Sequence, residues 1–254
     1  CLVANPDPDL CGDGDPDDPD TTKYTKVTQT TDVTANNKLD VLFIVDNSGS
    51  MQEEQIGIGN KINGFLDKIK AMDWQIAVTT TDPNQNTYAK DGTTVRPWGD
   101  GQFRPFDSDG GSQYFMKSTD YSAATAQSKL ANVINVGTKG AGTERGINAA
   151  YRAVARSTGS YHKNFFRSGA AFAAVIISDE DECGEGLASC PNQSSSVPQN
   201  FINEVQSQLG TSKTFSFNSI IFYESTCTTG ITMGVNYKKL TQLTGGLLGS
   251  MCSS

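Results

Sequence analysis

Apolar residues along this chain fall into two alternating kinds of stretch. Leu39-Asp40-Val41-Leu42-Phe43-Ile44-Val45 is a nearly continuous run of β-formers. Such a run suits a strand buried on both faces, as in a parallel sheet. Over residues 51–71 the period changes, and Ile58, Ile62, Phe65, Ile69 and Met72 recur every three or four positions. That is the stripe of an amphipathic helix. Trp74-Gln75-Ile76-Ala77-Val78-Thr79-Thr80-Thr81 returns to strand character and is broken by Asp82-Pro83. Strand, helix and strand at this spacing predict a βαβ unit.

The alternation continues. Residues 121–136, 143–156, 198–209 and 235–244 carry helical stripes, through Leu130, Val133 and Ile134 in the first and Ile147, Ala150 and Val154 in the second. Residues 170–177, 214–222 and 246–252 read as strands. The pattern predicts an α/β fold with a doubly wound, mostly parallel sheet flanked by helices. The chain stops just after the last strand, where a closing helix would be expected. Residues 84–118 break the rhythm with Gly, Asp, Pro and aromatics. They predict a long excursion with a short strand or hairpin, at pieces such as Gln113-Tyr114-Phe115-Met116. Trp98, Phe103 and Phe106 are expected to form the core of that loop.

Charge divides the chain. Of 28 acidic residues, seven Asp fall within residues 1–22, leaving 21 acids against 20 bases in the rest. Residues 1–22 therefore read as an acidic Pro/Asp-rich tether that cannot fold alone, with 23–38 as a lead-in and 39–254 as the folded domain. Their Asp-Pro-Asp pattern lacks the spacing of an EF-hand loop. The nearly neutral remainder shows no clustered Lys and Arg, which excludes a nucleic-acid surface. No run approaches the roughly 18 apolar residues of a membrane span.

The chain has six cysteines and one histidine. Cys183 and Cys190 lie seven apart, and Cys227 and Cys252 flank a helix and strand near the end. Neither pair makes a CxxC motif, so disulfides in an oxidising compartment are expected over a zinc site. Cys1 opens the chain ahead of the tether, the arrangement of a lipidated bacterial lipoprotein. Display on a bacterial cell envelope, at the outer membrane or cell surface, follows from that reading. Cys11 is then left without an assigned partner.

In open parallel sheets, ligands bind beyond the carboxyl ends of the strands. Asp46, Ser48 and Ser50 follow the first strand, Asp179 follows the strand at 170–177, and Thr143 precedes a helix. Their carboxylate and hydroxyl oxygens suit a hard cation such as Mg²⁺. Asp46 could also merely cap the helix that follows. Asp179-Glu180-Asp181-Glu182 could be a solvated turn, with Glu180, Asp181 and Glu182 as rim charges. Glu144 is expected to favour a helix N-terminus, and His162 to sit exposed in a loop.

Asp46-Asn47-Ser48-Gly49-Ser50-Met51 after a hydrophobic strand resembles the metal-ion-dependent adhesion site of von Willebrand factor A domains and integrin I domains. Gly142-Thr143 resembles the threonine position of that site, and Ser178-Asp179 its second aspartate. The resemblance covers about residues 39–252. It implies Ser48, Ser50 and Thr143 as direct ligands of Mg²⁺, or of Mn²⁺ or Ca²⁺, with Asp46 and Asp179 acting through water. It also implies a protein partner that offers an Asp or Glu carboxylate, and no small-molecule substrate. A passive structural piece of a surface assembly is the alternative. A Mg²⁺-dependent hydrolase is a further one, although the chain has no GxxxxGK[ST] loop, no GxSxG elbow and no histidine near the motif.

Overall fold

The computed structural model describes residues 37–108, 110–184, 190, 193–223 and 230–251, all within a compact unit spanning 35–254. Among these residues eight strands and five α-helices follow in order: β1 (Lys38–Val45), α1 (Gln52–Ile69), β2 (Asp73–Thr80), β3 (Thr87–Tyr88), β4 (Val95–Arg96), β5 (Met116–Lys117), α2 (Ala123–Ile134), α3 (Gly146–Ala155), β6 (Ala171–Ser178), α4 (Pro198–Leu209), β7 (Phe215–Ile221), α5 (Val235–Thr244) and β8 (Leu248–Ser250). A six-stranded sheet runs β5-β2-β1-β6-β7-β8. Its pairs are parallel except β2 with β5, which is antiparallel at the edge. The fold is the doubly wound α/β sheet that the sequence pattern predicts.

The apolar run of β1 explains the layering. Its side chains alternate between faces. Leu42 and Ile44 join the core against α3, α4 and α5, with Ile147, Val154, Phe201, Val205, Tyr237 and Leu240. Val41, Phe43 and Val45 join the opposite core against α1 and α2, with Ile62, Leu66, Leu130 and Ile134. A central strand lined with Val, Leu, Phe and Ile on both faces can only be covered by helices on both sides.

The excursion is ordered by aromatic packing. β3 and β4 form a two-stranded antiparallel hairpin, and β5 adds to the main sheet. Trp98, Phe103 and Phe106 are buried, as expected. Phe103 meets Phe165 with ring centroids 5.0 Å apart and His162 at 4.0 Å. Gly101 adopts φ 79° and lies so close to α3 that a Cβ would fall 2.5 Å from the Ala149 carbonyl oxygen. Only glycine allows this crossing.

His162 is not an exposed loop residue. It is buried against Phe103, and its Nε2 lies 2.9 Å from the Gly101 carbonyl. Burial pushes its imidazole down to about 4. Cys183 and Cys190 form the expected disulfide, with Cα atoms 5.4 Å apart. The expected Cys227–Cys252 pair, the Cys1 lipid site and the 1–22 tether lie outside the described residues. No helix among the described residues is long and apolar enough to cross a membrane.

Candidate metal centre

Parallel pairing sets the site. β1 and β6 run side by side, with Val45 opposite Ile177. Asp46 and Asp179 therefore leave the sheet at the same edge. The Asp46 amide donates to the Ile177 carbonyl (2.9 Å), which holds the start of the loop to the neighbouring strand.

The loop then folds onto the Asp46 carboxylate. The Ser48 amide donates to Asp46 Oδ1 (2.8 Å), and the Ser178 hydroxyl donates to Oδ2 (2.6 Å). Ser48 Oγ and Ser50 Oγ lie 2.9 Å apart, and the Ser50 hydroxyl donates to Asp179 Oδ1 (3.1 Å). A continuous chain of side-chain oxygens thus joins Ser48, Ser50 and Asp179, with Asp46 underneath. Asp46, Ser48 and Asp179 are buried, and Ser50 is exposed. Asp46 does not act as a simple helix cap. A 3-10 turn, Gly49–Met51, separates it from α1, and neither turn nor helix has a side-chain cap.

Four of the five expected residues are gathered here. Thr143 is exposed on the adjoining loop, and no hydrogen bond among the described residues joins it to the other four. That loop is held close. The Gly140 amide donates to the Asn47 carbonyl (2.8 Å), and a Cβ on Gly140 would fall 2.3 Å from the Asn47 amide group. Gln55 fastens it further, donating to the carbonyls of Asp46 (2.8 Å) and Gly137 (2.9 Å). Buried Gln55 escaped the sequence reading, because a polar residue in the first turn of a helix looks like any solvated one.

Glu144 corrects the expectation of a helix-end charge. It is fully buried ahead of α3, accepts from the Thr81 hydroxyl, and lies against the Asp46 carboxyl. Burial, then the Asp46 charge, pushes its carboxyl well up. Asp181 and Glu182 are not rim charges either. The Glu182 carboxylate accepts from the Ile147 (2.7 Å) and Asn148 (3.1 Å) amides at the start of α3. Asp181 accepts from the Asn236 amide (3.0 Å) at the start of α5. Each satisfies otherwise orphaned donors at a helix N-terminus. Glu182 is raised to about 7 by its burial.

The electrostatics are one-sided. Burial, then the Asp46 charge, raises Asp179 to about 7, with Glu180 and Glu54 adding to the repulsion. Asp46 is raised by burial against the pull of its hydroxyl and amide donors. Neither Asp46 nor Asp179 forms an ion pair with Lys or Arg among the described residues. Asp179 Oδ2 and Glu144 Oε1 are buried, and neither has a hydrogen-bond partner among the described residues. Buried carboxylate oxygens without donors are costly. Such oxygens fit a hard cation, which takes oxygen ligands and supplies the missing positive charge. No group of three or more His, Cys, Asp or Glu side chains among the described residues is set to hold a metal alone. Any cation here would need the serine hydroxyls.

No model of a known protein family matches the chain, and no curated protein matches it in sequence. Among solved structures, it is similar to the proximal thread matrix protein 1 of the mussel byssus, at 10% identity and a TM-score of 0.44, over 84% of this chain and 42% of that one. It is also similar to the pilus adhesin RrgA of Streptococcus pneumoniae, at 16% identity and a TM-score of 0.30, over 57% of this chain and 20% of that one. The chain thus spans less than half the length of either protein.

Proposed function

We propose that this chain is a binding module of the von Willebrand factor A type, in which the Asp46–Ser50 loop holds a Mg²⁺-type cation that presents an open position to an acidic group on a protein partner. The observation that carries this reading is the buried Asp179 Oδ2, without a hydrogen-bond partner among the described residues, beside the linked hydroxyls of Ser48 and Ser50. Ser48 and Ser50 would hold the ion directly, and Thr143 would join them from its adjoining loop. Asp46 and Asp179 would steady it from behind. Neutral hydroxyl ligands leave such an ion electrophilic, so a partner carboxylate can complete its shell. Mn²⁺ or Ca²⁺ would meet the same oxygens.

A protein partner is favoured by the surface beside the site. The Ile231 and Thr232 amides donate to the Asp179 carbonyl (2.9 and 3.3 Å). Ile231 is 57% exposed and nearby Val235 60% exposed, with Met233 exposed between them. Exposed apolar clusters beside polar groups suit protein contacts. Binding is favoured over turnover because the single histidine is buried against Phe103 and Gly101, away from these acids. The Cys183–Cys190 disulfide suits an oxidising compartment, and display at a cell surface completes the reading.

Calorimetric titration with Mg²⁺ and Mn²⁺ tests it. We expect binding that Ser50→Ala weakens by roughly tenfold or more, the scale seen when metal-site partners are removed, and that Asp46→Asn abolishes. Absence of binding by the unsubstituted protein at millimolar metal would overturn the reading.

A further inference from the structure

A second concavity lies toward the opposite end of the sheet. β5 pairs with the first half of β2, with Lys117 opposite Gln75 and Met116 opposite Ile76. The metal-site loop instead follows Val45, which is in register with Thr80 at the far end of β2. The five residue steps from Gln75 to Thr80 span roughly 16 Å of strand. The cavity beside β5 measures about 290 Å³, which is at the small end of small-molecule sites.

Its lining has an unusual composition. Ser112, Gln113, Tyr114, Phe115, Lys117 and Asp120 come from the β5 segment, with Lys117 Nζ 5.8 Å from the Phe115 ring centroid, and Ser160 and Tyr161 come from the loop after α3. No Leu, Ile, Val or Met side chain contributes among the described residues. The polar groups are held in place. Gln113 Nε2 donates to Asp120 Oδ2 (3.0 Å), and its Oε1 accepts from the Tyr121 hydroxyl (2.5 Å). Asp120 Oδ2 also accepts from the Lys117 amide (2.8 Å), while its Oδ1 has no partner among the described residues. Gln113 is anchored through its backbone as well, donating to Asp107 Oδ1 (3.2 Å) and accepting from the Phe106 amide (2.7 Å).

Tyr114 and Tyr161 meet edge to face, with ring centroids 4.3 Å apart and planes at 80°. In that geometry one of the two rings has neither face covered by the other. Aromatic faces carry negative potential and attract C–H groups, while tyrosine hydroxyls keep a polar edge. One carboxylate and one ammonium leave the cavity without net charge, which disfavours phosphate and polyanions. An aromatic floor with hydroxyl, amide and carboxylate edges matches a ring that has a C–H face and a rim of hydroxyls.

We propose that this cavity binds a neutral pyranose ring of a carbohydrate, seated against the Tyr114–Tyr161 pair with its hydroxyls directed to Asp120 and Lys117. The site is separate from the metal centre and does not depend on it. Saturation-transfer NMR of the full chain with the methyl pyranosides of mannose, galactose, glucose and N-acetylglucosamine tests it. We expect transfer to at least one sugar. Affinity should fall tenfold or more in Tyr161→Ala and Asp120→Asn, and be unchanged by EDTA or by Ser50→Ala. Ser160→Trp fills the cavity from an exposed position and should abolish transfer while circular dichroism stays native. A linear tetrasaccharide of the responding sugar that binds more tightly than its monomer points to a surface glycan, and equal affinity points to a free sugar. Either result supports the site. Transfer to none of the four sugars, or transfer that survives both Ser160→Trp and Tyr161→Ala, would overturn the proposal. Transfer lost on EDTA would move the ligand to the other end of the sheet and overturn it too.

Discussion

One strand buries an aspartate near each of its ends and treats the two in opposite ways. Asp40, near the start of β1, and Asp46, just past its end, are both fully buried. At Asp40 the Arg167 guanidinium donates to Oδ1 (2.7 Å), the Arg167 amide donates to Oδ2 (2.8 Å), and Lys213 Nζ lies 3.9 Å away. Arg167 also reaches Asp73 on the neighbouring strand (2.7 Å). That end is closed by countercharge. At Asp46 the neighbours are hydroxyls, amides and more acids. A buried charge needs a partner of opposite sign, and one end of the strand has it within the chain. At the other end no Lys or Arg pairs with Asp46 among the described residues, and hydroxyl and amide donors face it instead.

The comparison can be broken most forcefully at the closed end. Arg167→Leu leaves Asp40 buried with only the more distant Lys213. Denaturant unfolding should show a loss of about 3 kcal/mol, the scale for breaking a buried ion pair. A loss under a few tenths would mean that Arg167 contributes nothing to closing that end.

Acid next separates the buried histidine from the buried carboxyls. His162 lies in the same 156–170 loop as Arg167, and its folded-state value is depressed from 6.5 to about 4. The folded state binds fewer protons, so this stabilisation is complete above pH 6.5 and is lost as pH falls toward 4. It amounts to about 3 kcal/mol. The raised acids, Asp46, Glu144, Asp179 and Glu182 around the open end and Asp40 at the closed end, act with the opposite sign. Their destabilisation sets in above the ordinary carboxylate range and eases as pH falls from 7. Metal-free His162→Gln should therefore become more stable between pH 7 and 5. Urea midpoints that instead fall in parallel for both proteins would contradict the assignment.

The smallest expected effect is at the open end. Without metal, Asp46→Asn should be neutral or stabilising by about 1 kcal/mol, because it relieves repulsion among buried acids. In saturating Mg²⁺ the order should reverse, since a ligand that binds only the folded state adds stability to the protein that holds it. Thermal unfolding of both proteins with and without Mg²⁺ gives the crossing. Parallel shifts in both would remove the distinction between the ends.

The layered fold was legible in the pattern of side chains. The double-sided apolar run of 39–45 leaves no choice but helices on both faces, and the period of Ile58, Ile62, Phe65 and Ile69 gives one of them. The clustering of Asp46, Ser48, Ser50 and Asp179 was legible too, because strands in parallel register deliver their following loops to one edge. Local pattern failed where burial is decided by distant segments. His162 read as exposed because its own neighbours, Tyr161 and Lys163, are those of a loop, yet the excursion lays Phe103 and Gly101 over it. Glu144 read as a helix-end charge and Glu182 as a rim charge because acidic residues are usually solvated.

The amino-acid sequence by itself determined the periods, the order of strands and helices, and the motif of oxygen-bearing side chains at the carboxyl edge, since each follows from local geometry. Only the tertiary structure decided which acids are neutralised. That Asp40 meets Arg167 across 127 positions, while Asp179 Oδ2 has no hydrogen-bond partner among the described residues, depends on which side chains the sheet register brings within reach. Coulombic and hydrogen-bond energies depend on distance in space, and separation along the chain does not set it.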